Sequence, residues 1–291
     1  MKIKTVGVMS PGDMGSGVGG VLRKNGLTVL TALDGRTAGS KRRAAEQGME
    51  DVGSIDDLVR ASDLILSILV PSQALSFSQN LADAIVRTAA SVTVADCNAV
   101  SPSTAIKIGE IISSAGARFI DAGIIGGSPR IGAVPRFYSS GENATILGQL
   151  DGKGISVPVM NGPIGHASGI KMCYAAISKG TLALYAATLM SAQSLGLLND
   201  LMNEMRVSQA KTLAAMEGVN SISAKAFRWI GEMEEIAATF ESAGATQNIH
   251  LGAAETFRRI ADSSIGHERV DTVDASRNLE QTIQALITSK A

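Results

Sequence analysis

The sequence predicts an α/β chain in which an N-terminal doubly wound parallel sheet is followed by an all-α C-terminal domain. Three observations predict it. Up to about Asn161, short runs rich in Val, Ile, Leu and Thr alternate with helical stretches, the pattern of a parallel sheet covered on both faces. Beyond Gly165 no run reads as a strand, and Ala-, Leu- and Met-rich segments take over. The 291 residues, 45% hydrophobic and 18% charged, suffice for two domains with real cores. The division is expected at 164/165, with residues 1–164 forming the sheet domain and 165–291 a helical domain that begins with a long interdomain helix.

The expected strands are Thr5 to Met9, Thr28 to Leu33, Leu64 to Leu69, Thr93 to Asp96 and Arg118 to Gly123, with Pro135 to Ser139 and Ile155 to Met160 as further candidates. Helices Gly12 to Lys24, Ala38 to Gln47, Ile55 to Ala61, Gln73 to Thr88 and Pro102 to Ala115 fill the gaps. Ser101 caps the last of these, and Pro102 takes its first helical position. In the second half, helices are expected at Ser168 to Leu195, Asp200 to Met216, Ser223 to Ser242, Gln247 to Ala261 and Asp274 to Thr288, with Gly196, Gly218, Gly244 and Gly266 as stops. The first, at roughly 28 residues, would extend about 42 Å. Its apolar strip (Leu182, Leu184, Ala187, Leu189, Met190) calls for a partner, and a homodimer through the helical domain is the expectation.

Charge narrows the function classes. With 26 basic and 27 acidic residues there is no basic stripe for nucleic acid and no polybasic segment for a membrane surface, so neither is expected as a partner. Cys97 and Cys173 have neither CxxC nor Cys/His spacing, so no zinc site or disulfide framework is expected, and a reduced cytoplasmic setting fits. The first apolar run is broken at once by Ser10-Pro11-Gly12, too short for a signal segment or a membrane span.

Chemistry enters at the end of the first strand. Ser10-Pro11-Gly12-Asp13-Met14-Gly15 reads Ser-x-Gly-x-x-Gly where a dinucleotide-binding turn would read Gly-x-Gly-x-x-Gly. Gly12 would admit a pyrophosphate close to backbone, and Gly15 would let the helix pack on the strand, with amides at the helix start facing phosphate. Asp13 is expected to point to solvent. At the end of the second strand, Asp34 can take the ribose hydroxyls of NAD, whereas Arg36 and Thr37 can bind the 2′-phosphate of NADP. The further cations Lys41, Arg42 and Arg43 favour NADP, with NAD the alternative and a solvated charged turn the competing reading for those three. Past mid-chain, Gly165-His166-Ala167-Ser168-Gly169 is a small-residue approach to a helix, with Ser168 as the expected N-cap. Lys171, Ala175, Ser178 and Leu182 then share one face, which sets a lysine in the first turn beside apolar neighbours, where it can serve as an acid or base.

Four blocks in order give the chain a resemblance to the β-hydroxyacid dehydrogenases and, more distantly, to 6-phosphogluconate dehydrogenase. They are the N-terminal turn; Ser67-Ile68-Leu69-Val70-Pro71, similar to the family's strand-end segment against the cofactor; Asp121-Ala122-Gly123-Ile124-Ile125-Gly126-Gly127, similar to its Asp-Ala-Pro-Val-Ser-Gly-Gly substrate motif; and the Lys171 helix. The resemblance implies a Rossmann-type domain, an all-helical dimerising domain and an active site in the cleft between them. It implies Lys171 as the catalytic lysine, Leu69, Val70, Pro71 and Asn98 near the cofactor, and Gly126 and Gly127 as backbone donors to a small-molecule substrate.

The chain also departs from that pattern. Ile125 replaces the motif's serine, Ala175 replaces the asparagine four residues after the lysine, and the helical domain's usual Lys-Asp pair is not evident around Trp229 to Ile236. Ile125 therefore suggests a substrate with an apolar part, or one not held by its carboxylate in the family manner; Tyr174 can supply a hydroxyl, and Ser178 and Glu232 are further substrate candidates. The expected function is an NAD(P)-dependent dehydrogenase or reductase moving hydride between nicotinamide and a β-hydroxy acid or related small hydroxy compound. An imine reductase on the same scaffold and a non-catalytic NADP sensor are the rivals.

Overall fold

The computed structural model describes residues 2–269 and 272–288, and the chain divides into two compact units, Met1–Met172 and Cys173–Ala291. In the first unit, β1 (Thr5–Met9), β2 (Thr28–Thr31), β3 (Glu50–Asp51), β4 (Leu64–Ser67), β5 (Thr93–Asp96), β6 (Arg118–Ile125) and β7 (Arg136–Ser140) form one sheet in the order β3-β2-β1-β4-β5-β6-β7. All neighbours are parallel except β6 and β7. The sheet is thus mixed rather than wholly parallel, because the short connection from β6 to β7 holds only a 3-10 turn at Pro129–Ile131 and cannot carry the chain back across the sheet. Strand order reverses between β1 and β4, where Met9 pairs with Ser67, and it is outside the carboxyl ends of such strands that α/β sheets bind ligands.

Alternate strand residues feed two cores, which is why these runs read as continuously apolar. Val6, Val8, Leu64, Leu66, Ile120 and Ala122 face one side with Val18 and Leu22 of α1 (Asp13–Lys24). Met9, Leu30, Ile65, Val94 and Phe119 face the other, with α3 (Ile55–Ala61), α4 (Pro71–Thr88) and α5 (Pro102–Ser114); α2 (Ala38–Glu46) completes the N-terminal half. Helix α4 starts two residues before the expected Gln73 because Pro71 is itself the first helical residue, its ring already holding helical φ.

Two strand expectations change. β3 escapes sequence reading because it is a two-residue, exposed edge strand of two acids and carries no apolar signal. Ile155 to Met160 is not a strand: it makes only isolated bridges from Ser156 and Val159 to β7, and Pro158, lacking an amide hydrogen, interrupts any ladder. A short α6 (Ala144–Gly148) was also not expected.

The second unit contains most of α7 (His166–Ser194), then α8 (Leu198–Ser208), α9 (Ala210–Met216), α10 (Ser223–Ser242), α11 (Asn248–Ala261) and α12 (Leu279–Ile287). The expected single helix 200–216 is two, broken at Gln209, whose backbone (φ −142, ψ 48) is not helical although no glycine or proline marks the break. Helix α12 starts five residues later than expected, at a capping box in which Asn278 and Gln281 satisfy each other's backbone amides. The core of this unit includes Met233, Ile236, Phe257, Ile260 and Ile283, with Trp229 edge-on to Phe257 at 5.3 Å. The loop into α12 is tied down by buried Glu268, which accepts from Arg277 at 2.7 and 2.8 Å and from the Ser223 hydroxyl at 2.5 Å.

The boundary between units lies at 172/173, inside α7, rather than at 164/165. The first turns of α7 belong to the sheet unit because Asp121 of β6 holds them. Its carboxylate accepts from the amides of Gly165 (2.8 Å), Ala167 (3.0 Å) and Ser168 (3.2 Å) and from the hydroxyls of Ser140 (2.8 Å) and Ser168 (2.6 Å). Ser168 is therefore not the N-cap; it lies inside the first turn and donates to the group that caps it. Gly165, at φ +102, supplies the left-handed backbone that turns the chain into this helix.

Candidate active site

Helix α1 begins at the carboxyl end of β1 with Gly12 as N-cap and no side-chain cap, so its first amides are not consumed by a neighbouring side chain. A Cβ on Gly15 would lie 2.0 Å from the Ser10 carbonyl oxygen, so glycine is required there for the strand-to-helix turn to close. Gly12 differs: its φ of −70 suits any residue and a Cβ would meet no protein atom within 4 Å, so the protein's own packing gives no reason for glycine. An open, side-chain-free approach to an uncapped helix start is what a dinucleotide pyrophosphate needs, and these residues fit one. We expect Gly15→Ala to abolish dinucleotide binding and to cost about 1–3 kcal/mol of stability, since backbone rather than a flexible side chain must move; dinucleotide titration and thermal melting check this.

Around that turn the structure adds contacts the sequence did not show. Ser10 is half-buried, Pro11 and Gly15 are buried, and Met14 packs against the sheet core. The Pro11 carbonyl accepts from Arg43 Nε at 3.1 Å, so one of the three cations following Arg36 braces the first turn. Asp13 is solvent-facing as expected and sits 3.6 Å from Arg130, while its carbonyl accepts from the Ser128 hydroxyl at 3.0 Å. The turn is therefore fastened to the segment that follows Gly126 and Gly127. Arg36 is half-buried beside exposed Asp34. Thr37 is already used locally: its hydroxyl caps α2 by accepting from the Ser40 amide at 3.2 Å.

Leu69, Val70 and Pro71, all half-exposed, bridge β4 to α4. Asn98, expected to face the cofactor, is only 2% exposed and its amide is committed to protein. It accepts from the Leu69 amide at 2.5 Å and donates to Ser67 Oγ at 2.9 Å and to Asp96. Beneath it, Asp96 and Asp121 are register partners on β5 and β6. Burial and the neighbouring Asp121 charge push Asp96 up to about 7, against the opposing hydrogen bonds from Asn98 and Ser67, and burial with the same two acids pushes the Cys97 thiol well up.

Lys171 is half-buried in the second turn of α7, packed over β6 at Gly123. A Cβ on residue 123 would come within 2.4 Å of the Ala167 carbonyl oxygen and 2.9 Å of Lys171 Cβ, so this glycine sets how closely the lysine's helix approaches the strand. Gly126 and Gly127 are exposed, whereas Ile125 is only 3% exposed, opposite Arg136 in the β6–β7 pair; an open apolar contact from Ile125 is thereby corrected to a packed sheet position. Tyr174, 50% exposed, and exposed Ser178 follow Lys171 at three and seven residues along α7 but belong to the second unit. Glu232, also there, is neither solvated nor open: it is 8% exposed and ion-paired with Lys179 of α7, whose Nζ lies 5.7 Å from the Trp229 ring centre. A Lys–acid pair is thus present in the helical unit, assembled from two helices, which no linear motif could reveal.

Among the described residues no group of three or more His, Cys, Asp or Glu could hold a metal ion, and no helix is long and apolar enough to cross a membrane. Residues 5–146 match the family described as the NAD binding domain of 6-phosphogluconate dehydrogenase, and residues 192–260 match a domain of unknown function, DUF1932. An uncharacterised 28.5 kDa protein of Methanothermus fervidus is 29% identical over 188 residues, 65% of this chain and 71% of that one. An NADPH-dependent reductive aminase of Aspergillus oryzae is 29% identical over 149 residues, and the match spans 51% of this chain but only about half (49%) of that protein. The fold is shared along almost the whole length with 3-hydroxyisobutyrate dehydrogenase of Mycobacterium tuberculosis, solved with L-serine, at a TM-score of 0.68 and 16% identity, covering 98% of this chain and 99% of that one.

Proposed function

We propose that the chain, whose residues 5–146 match the NAD binding domain of 6-phosphogluconate dehydrogenase, is a divergent member of the 6-phosphogluconate-dehydrogenase-like oxidoreductases and an NADP-preferring dehydrogenase or reductase acting on a β-hydroxy acid or related small hydroxy compound. The observation that carries the reading is the pairing, in one sheet unit, of an uncapped, glycine-opened helix start at β1 with a lysine anchored over Gly123 at β6. A bound nicotinamide would supply the two-electron transfer. Ser10 to Gly15 would hold the pyrophosphate through backbone amides, and Leu69, Val70 and Pro71 would border the nicotinamide end. Lys171 Nζ would take the proton from the substrate hydroxyl as its carbon is oxidised and return it in the reverse direction. The exposed Gly126 and Gly127 would offer amides to an anionic substrate group; Tyr174 and Ser178 remain candidates for the missing asparagine's work.

Preference for NADP rests on Arg36, supported by the NADPH dependence of the Aspergillus relative. A guanidinium–phosphate contact contributes about 1.5–3 kcal/mol. Arg36→Ala is accordingly expected to weaken NADPH roughly 10- to 100-fold and to leave NADH unchanged, as measured by fluorescence titration of both; equal losses would remove the assignment.

The second reading, an imine reductase, is favoured by Ala175 in place of the family's asparagine and by that same relative. One spectrophotometric panel of hydroxy acids, polyols and cyclic imines with NADP(H) and NAD(H) separates the readings. Turnover of hydroxy acids supports the first and amine products the second, and tight cofactor binding without turnover supports a sensor. We further propose a homodimer through the helical unit, where Leu184, Leu195 and Val207 are 64%, 71% and 87% exposed.

A further inference from the structure

Asp96 is 1% exposed, yet its Oδ2 has no hydrogen-bond partner, while its Oδ1 accepts from Asn98 Nδ2. That contact decides which way the Asn98 amide faces. With the NH2 group held toward Asp96 and Ser67, the Asn98 oxygen is left for the Leu69 amide at the start of the Leu69–Val70–Pro71 segment. The strand alongside carries a second buried acid at the same level, Asp121, 0% exposed. Asp121 is fully supplied with donors: three amides at the start of α7 and two serine hydroxyls donate to its two oxygens. The titratable group facing Asp96 is Asp121 on β6; the Cys97 thiol follows one residue past the end of β5, and β4 presents the uncharged Ser67. Among the described residues no ion pair involves either acid. Two adjacent dry carboxylates cannot both hold a charge cheaply, and the one without partners on its second oxygen is the one to take a proton.

We propose that Asp96 is a positioning residue for the cofactor segment Leu69–Val70–Pro71, acting through Asn98 in its protonated form with the proton on Oδ2. The inference rests on the reading that this segment borders the nicotinamide. A proton on Oδ2 leaves Oδ1 an acceptor, so the neutral acid preserves the Asn98 orientation and removes the repulsion from Asp121. Folded Asp96 is half-protonated near pH 7 and unfolded Asp near 3.9. Between those values the folded state binds the extra proton, so this group makes stability fall as pH rises through the window and its penalty is complete above about 7.

The test compares wild type, Asp96→Asn and Asp96→Ala by NADPH titration and by thermal melting from pH 5 to 9. Asparagine offers an oxygen to Asn98 and an NH2 where the protonated oxygen was. Asp96→Asn is expected to keep NADPH affinity close to wild type and to lose the decline in melting temperature between pH 5 and 8. Asp96→Ala, leaving Asn98 unoriented, should weaken NADPH about tenfold. Unchanged NADPH affinity in Asp96→Ala, or a wild-type pH slope retained in Asp96→Asn, would overturn the proposal. Failure of wild type to bind either dinucleotide would instead overturn the cofactor reading, and with it the role given to Asp96.

Discussion

Replacing Lys171 with alanine is expected to lower kcat by about 10²–10⁴-fold while leaving NADPH affinity unchanged, the loss typical of removing a positioned acid–base group. The separation of the two effects follows from geometry. The turn proposed to hold the dinucleotide is built by β1 and α1 and held by contacts of Arg43, Ser128 and Gly15, none of which involves the lysine. Lys171 stands on another strand's partner helix, over Gly123. Steady-state turnover on whichever substrate the panel identifies, with a parallel fluorescence titration of NADPH, measures both. Turnover within a fewfold of wild type would remove Lys171 from the chemistry, and a matching loss of NADPH affinity would make it a cofactor ligand instead.

The second large effect is expected at Asp121. Asp121→Ala should cost about 3–5 kcal/mol of stability, the range for stripping one partner from a buried charged network. The substitution leaves the amides of Gly165, Ala167 and Ser168 and the hydroxyls of Ser140 and Ser168 without their acceptor, in a place water does not reach. Asp121→Asn keeps one acceptor oxygen but removes the charge that complements the helix start, and should fall between the two. Urea unfolding of the three proteins measures the series. A loss below about 1 kcal/mol for the alanine variant would show that the start of α7 is held by packing alone. Since α7 carries Lys171, the folded fraction of Asp121→Asn should also turn over more slowly than wild type.

These two residues show how unevenly the molecule could be read from its sequence. Strands β1, β4, β5 and β6 were legible because each is buried on both faces, which forces an apolar run; the start of α5 was legible from Ser101 and Pro102 and the end of α10 from Gly244. The strand-to-helix turn at Ser10–Gly15 was legible because it is local: strand, glycines and helix follow one another directly, and the physical demand on Gly15 is a contact with Ser10 five residues away.

What only the tertiary structure decided involves partners distant in sequence. Asp121 reaches the start of α7 across 44 to 47 residues, Asn98 reaches Leu69 across 29, Arg43 reaches Pro11 across 32, and Glu232 meets Lys179 across 53. None of these pairs leaves a local periodicity, because a strand or helix records only which of its faces is apolar and not which polar group from elsewhere it will meet. The sheet brought two acids side by side and so pushed Asp96 up to about 7, turned Asn98 inward, buried Ile125 and placed the unit boundary inside α7. By itself, the sequence determined the class of fold; the tertiary structure decided which polar side chains are open and which are already bound to the protein, because those contacts join residues far apart in the chain.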